Sequence, residues 1–195
     1  MKTKWVVLFT IVSFPCCQLF GQTDSLALSK KKIHYFNSFL GGGLFGDSHQ
    51  GSGVTMSMSH GVRFNRLAVG AGIGFDSYLD WQTLPVFGSI SFDFAKIKNS
   101  AFYVQLNAGY SKAWDIKKED FEPEYDQLSG RGMAQSMLGY RIELKQYAIY
   151  IAAGHKFQRI EYSYNPMPWS SVPGSNIFVE EDMNRVVVQL GFGFY

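Results

Sequence analysis

The sequence predicts an all-β fold, an eight-stranded antiparallel up-and-down transmembrane β-barrel, on three observations. Apolar and polar residues alternate with period two through most of the chain, the pattern of strands whose two faces meet different surroundings. The alternating runs number eight and are long, about 10 residues or more, where a soluble sandwich more often uses strands of about 5–6. At about 3.3 Å per residue and a tilt of about 45°, such a run rises roughly 23 Å, close to the apolar band of an outer-membrane barrel. The connections alternate between short and long, as turns on one side of a membrane and loops on the other would.

Taken in order, the first strand covers about Ile33–Gly46 and is so rich in glycine that its phase is ambiguous. In the second, Val54, Met56, Met58, His60, Val62 and Phe64 oppose Thr55, Ser57, Ser59, Gly61 and Arg63. The third sets Leu67, Val69, Ala71, Ile73 and Phe75 against Ala68, Gly70, Gly72, Gly74 and Asp76. The fourth sets Leu84, Val86, Ile90, Phe92 and Phe94 against Ser89, Ser91 and Asp93, and the fifth Phe102, Val104, Leu106, Ala108 and Tyr110 against Gln105, Asn107, Gly109 and Ser111. The sixth, about Gly130–Leu144, and the seventh, about Tyr147–Tyr162, place Arg141, Glu143 and Lys156 on their polar faces. The eighth is Arg185–Tyr195, RVVVQLGFGFY, with Val186, Val188, Leu190, Phe192 and Phe194 in one phase.

Asn65-Arg66, roughly Ala95–Asn99 and Lys145-Gln146 read as turns; Ser77–Thr83, Asp115–Ser129 and Ser163–Asp182 read as longer loops, and Asp47–Gln50 as a brief one. Aromatic residues gather toward both ends of the strands. Phe64, Phe94, Phe102, Tyr147 and Phe194 fall on the turn side, and Phe75, Tyr110, Trp114 and Phe157 on the loop side, as the two interfacial girdles of a membrane barrel require.

Composition agrees. Charged residues make up 17% of 195 residues, below the roughly 25% usual for soluble domains, while aromatics reach 16% and glycines number 20. A net charge of +2 without a basic stripe excludes a nucleic-acid partner. The beginning reads as an export signal over 1–22: Lys2 and Lys4, the apolar run Trp5–Phe14, then Pro15 and a more polar stretch. That run is shorter than the about 20 residues a membrane-spanning helix needs. Both cysteines, Cys16 and Cys17, lie within 1–22, so the exported chain is expected to lack thiols and disulfides. Residues 23–32 read as a periplasmic tail and 33–195 as the barrel domain.

On these runs, turns and girdles the sequence resembles the small eight-stranded bacterial outer-membrane barrels, of the OmpA and OmpX kind and the outer-membrane barrel domains of Bacteroidetes. The resemblance implies a location in the outer membrane among lipid and lipopolysaccharide. It also implies that a terminal aromatic strand, here Phe192, Phe194 and Tyr195, is the signal read by the barrel assembly machinery. Tyr195 falls in the opposite phase from Phe192 and Phe194, a departure from that pattern.

Inward faces carry Arg63, Arg141, Glu143, Lys156 and Arg185, which are expected to form a polar network plugging the lumen, because an eight-stranded barrel is just wide enough for side chains to fill it. The acids of the fifth connection, Asp115, Glu119, Asp120, Glu122, Glu124 and Asp126, are candidate ligands for Ca²⁺ or for the divalent ions of lipopolysaccharide, yet match no EF-hand spacing, and a solvated loop is the simpler reading. No cofactor is expected. The function expected is non-catalytic: structure, adhesion, or partnership with another envelope protein. A lipid A acyl hydrolase or transferase is a second reading, but Ser59 and His60 are strand neighbours on opposite faces and no His-x-Ser arrangement occurs at His34, His49, His60 or His155. A secreted lipocalin-like carrier is a third, and it would turn its apolar face inward.

Overall fold

The computed structural model describes residues 33–46, 51–115, 125–164 and 177–194. They form eight strands: β1 (Ile33–Phe45), β2 (Gly53–Phe64), β3 (Leu67–Ser77), β4 (Trp81–Ile97), β5 (Ser100–Asp115), β6 (Tyr125–Leu144), β7 (Tyr147–Tyr164) and β8 (Ile177–Phe194). Each pairs antiparallel with its sequence neighbours, and β1 pairs with β8, so the sheet closes with no free edge.

The outward face carries the apolar series of the sequence. Val86, Ile90, Leu106, Leu138, Ile151 and Leu190 are each exposed by more than a third of their surface, as lipid-facing side chains of an isolated barrel must be. This is the reverse of the face chemistry a soluble carrier needs. β1 resolves its ambiguous phase by turning Phe36, Ser38, Leu40 and Leu44 inward and Tyr35, Phe39 and Phe45 outward. Gly42 lets that strand lie close to β8, since a Cβ there would collide with the Val188 carbonyl.

Links at one end are two-residue turns, Asn65-Arg66, Lys98-Asn99 and Lys145-Gln146. Asn65 and Lys98 take positive φ, 59° and 50°, as tight hairpin turns demand. The second turn is tighter than the alternation suggested. A bulge between Asp93 and Ala95 leaves Phe94 without an opposite residue, which breaks the period-two pattern while β4 runs on to Ile97. The turn-end girdle includes close ring contacts: Phe102 lies 4.8 Å from Tyr140 and Tyr147 lies 5.3 Å from Phe194, centroid to centroid. At the opposite end Phe75 and Trp114 are 6.2 Å apart, and the Trp114 indole N–H donates to Gln82 at 3.1 Å.

At that end the strands reach further than the sequence indicated. β6 begins at Tyr125 and β8 at Ile177, inside stretches expected to be loop, and β4 begins at Trp81. The reason is an inversion of face chemistry. Within the lipid band β7 turns Ile149 and Ile151 outward, but beyond it Arg159 and Glu161 point outward while Ile160 is fully buried inside. A search for lipid-facing alternation stops at this inversion, although the hydrogen-bond ladder continues.

β3 and β4 pair continuously from Leu67↔Phe92 to Ile73↔Val86 and resume at Asp76↔Thr83. The interruption falls at Pro85, which has no N–H to give to a ladder.

Candidate functional site

The candidate site is the lumen, and its side chains sit in tiers fixed by the alternation. Nearest the turns, Asp93 at the β4 bulge is fully buried and receives two arginines. Arg141 of β6 grips it with both terminal nitrogens, Nη1 to Oδ1 at 3.1 Å and Nη2 to Oδ2 at 2.7 Å, while Arg63 of β2 donates to Oδ2 at 3.0 Å. Arg141 also donates to Glu143 Oε1 at 2.8 and 3.0 Å, and Lys96 stands 3.7 Å from Asp93. Bidentate geometry of this kind is the strongest arrangement for a desolvated guanidinium.

Above this cluster Phe36 lies under the Arg63 guanidinium at 5.8 Å, and the Tyr103 and Tyr150 rings meet edge to face at 6.0 Å. Tyr103 lies over Gly139, where any Cβ would collide with its ring. A neutral tier follows: Gln105 donates to Ser89 and Asn107, and Asn107 donates to Gln135 at 3.1 Å.

The next tier centres on Asp76 of β3, fully buried and bonded by Thr55 at 2.7 Å, Thr83 at 3.2 Å and Lys156 at 2.5 Å. Gln158 then links Ser111 and the Tyr78 hydroxyl, at 2.7 and 2.9 Å. Arg185 donates to the carbonyls of Gly46 and Gly51, on either side of the β1–β2 link, and lies 5.6 Å from the Tyr78 ring. The loop end is closed by an apolar lid. Trp81 is fully buried and tilts against Tyr162 at 5.6 Å, with Leu44, Ile160, Met183 and Ala113 in the same cluster.

All five residues expected in the lumen network are therefore in the lumen, but in three groups. Arg63, Arg141 and Glu143 meet; Lys156 belongs to Asp76 and Arg185 to the loop end. The sequence reading placed Asp76 and Asp93 on inward faces without assigning them to the network, although a buried cation needs an acid within reach and the same parity supplies it. Trp81 and Tyr78 carried no such signal, lying in a stretch read as loop.

Of the candidate loop acids, Asp115 ends β5 and Asp126 lies in β6, but their side chains, with Glu119, Asp120, Glu122 and Glu124, fall outside the described residues. So do Tyr195, at the end of the expected assembly signal, and the whole of 1–32; Phe192 and Phe194 face outward in the turn-end girdle. Among the described residues no group of three or more His, Cys, Asp and Glu is arranged to hold a metal.

His60 and His155 face outward rather than into the lumen, whereas His34 stands opposite Arg63 in the inward phase of β1, at its exposed turn end, and His49 lies outside the described residues. His60 Nδ1 lies 2.7 Å from the Tyr35 hydroxyl, and His155 stands opposite Ser136 across β6 and β7. Ser59, buried inside, is on the other side of the wall from His60.

No family model and no curated protein sequence matches the chain. Solved structures do. The outer membrane protein OprG from Pseudomonas aeruginosa superposes with a TM-score of 0.61 at 13% identity, over 82% of this chain and 94% of that one. Neisserial surface protein A gives 0.53 at 12% identity, over 84% and 98%, and AlkL, solved in lipid bilayers by solid-state NMR, 0.53 at 10%, over 90% and 96%. At such identities the likeness is one of fold: the chain is built as the small eight-stranded outer-membrane barrels are.

Proposed function

We propose that this chain, which has the fold of the small eight-stranded outer-membrane barrels, is a non-catalytic outer-membrane protein that acts through its rim and outer wall rather than through its lumen. The observation that carries this reading is the filled interior: two carboxylate-centred ion clusters, a glutamine–asparagine tier between them and the Trp81–Tyr162 lid above. The space among Phe36, Ser38, Arg63, Ser89, Tyr103 and Arg141 amounts to about 10 Å³, room for about one water. Export by 1–22, recognition of Phe192, Phe194 and Tyr195 by the assembly machinery, and contact with lipopolysaccharide and an envelope partner all belong to this proposal.

Its test is a heat-modifiability gel on detergent-extracted outer membranes. Folded barrel migrating apart from the boiled chain is the expected result; recovery in the soluble fraction with no shift sinks the reading. Lipid A mass spectra of a deletion strain are expected to keep their acyl pattern.

A further inference from the structure

Beyond the lipid band, the outer wall of β6, β7 and β8 carries a hollow of about 360 Å³, within the range of small-ligand sites. Ser129, Glu161, Ser163, Phe178 and Glu180 line it, with Tyr162 and Val179 of the opposite parity between them. The register brings them together: Ser129 pairs with Glu161, Glu161 with Glu180, and Ser163 with Phe178.

Three features of this hollow are costly to the barrel itself. Phe178 is 76% exposed, the most exposed large apolar residue described, and shares the outward face of β8 with Glu180 and Asp182. Glu161 and Glu180 are directly opposed across the ladder, where like charges repel. The Ser163 hydroxyl is buried and has no hydrogen-bond partner.

The two carboxylates are held in place from their flanks. Arg131 bonds Glu161 Oε2 at 2.6 Å and Arg159 bonds Glu180 Oε1 at 2.6 Å, with Arg159 also forked onto Asp182 at 2.7 and 2.9 Å. Glu161 Oε1 and Glu180 Oε2 take no part in those ion pairs and remain as acceptors. A ligand that answers all of these groups has several hydroxyl or amine donors on one side and an apolar C–H face on the other. A phosphate or sulfate fails, because it brings acceptors to acceptors and charge to like charge.

We propose that this hollow is a saccharide-binding site. A pyranose ring covers Phe178 with its C–H face, donates hydroxyls to Glu161 and Glu180, and pairs the Ser163 hydroxyl. This rests on the reading above of an outer-membrane barrel, in which the short turns lie on the periplasmic side and the loop end therefore on the outside. The sugar is then either the carbohydrate of lipopolysaccharide in the same leaflet or a glycan from outside.

The test uses the purified full barrel in detergent micelles, titrated by NMR in two arms. One arm is the oligosaccharide released from purified lipopolysaccharide by mild acid; the other is a panel of free neutral hexoses and hexosamines. Saturable binding in either arm supports the site and identifies the source. Phe178→Ala and Glu180→Gln should each weaken it by about tenfold or more, and Lys145→Ala, at the opposite end, should leave it unchanged. Removing an exposed ring does not threaten folding, so F178A remains informative if E180Q fails to assemble. No binding in either arm at millimolar sugar, or affinities in both variants equal to wild type, overturns the proposal. A normal gel shift in that same protein would show that the barrel reading survives its failure.

Discussion

Asp93 is the residue whose loss the barrel should feel most. It neutralises Arg63 and Arg141 in a site where its own side chain is wholly buried. Breaking a buried pair leaves the partner charge uncompensated, a cost of about 3–5 kcal/mol. Asp93→Asn is therefore expected to lower the urea midpoint of unfolding in micelles by that order, more than Glu143→Gln, whose side chain is 40% exposed. Equal midpoints for the two variants would mean that Asp93 does not organise the cluster. Asp182 supplies the contrasting surface case. Hydrogen bonds from Arg159, helped by its charge and opposed by desolvation, hold the Asp182 carboxyl below the usual carboxylate range. Its contribution is thus present above that range and lost as pH falls through the lowered folded value. Because both groups are exposed the effect is small, and it should vanish in Asp182→Asn when stability is followed into acid.

At the scale of the strand, the ladder between β3 and β4 is a weak seam. Pro85 removes a donor, and Gly74 and Phe75 lack ladder pairing with Leu84 and Pro85. Hydrogen exchange in micelles should be faster at Gly74 and Phe75 than at Val69 or Gly70, and Pro85→Val should slow it. Uniform protection along β3 would contradict this. Strand existence was legible in the sequence wherever one face met lipid, because the alternation is a direct record of two solvents. It was illegible in Tyr125–Ser129 and Ile177–Asp182, where the outward residues Glu180 and Asp182 are polar for the reason that they stand beyond the lipid. The β4 bulge hid Lys98-Asn99 in the same way, since Phe94 adds a residue to one strand only.

For the whole molecule, closure and plugging are linked. Eight strands give a bore that side chains can fill, and here opposite charges fill it in pairs and an aromatic lid ends it. Planar bilayers containing the purified barrel should accordingly show no ionic conductance steps, and steady single-channel currents from wild-type protein would refute the filled lumen. The outward apolar band is what drives insertion: Val186 to Phe194 on β8 rises about 21 Å at a tilt of about 45°, most of the about 25 Å apolar band of an outer-membrane barrel.

The sequence by itself determined, for β2 to β8 within the lipid band, which residues face out and which face in, and with that the number of strands, the turn end and the inward phase of the five charged lumen residues; the phase of β1 waited for the structure. Period-two alternation needs only the local backbone, so it survives without knowledge of any neighbour. The tertiary structure alone decided who meets whom. That Asp93 takes both Arg63 and Arg141, that Asp76 takes Lys156, and that Glu161 faces Glu180 beside Phe178 depend on register and closure across separate strands. Trp81 becomes a lid only because a closed barrel gives it an interior to enter.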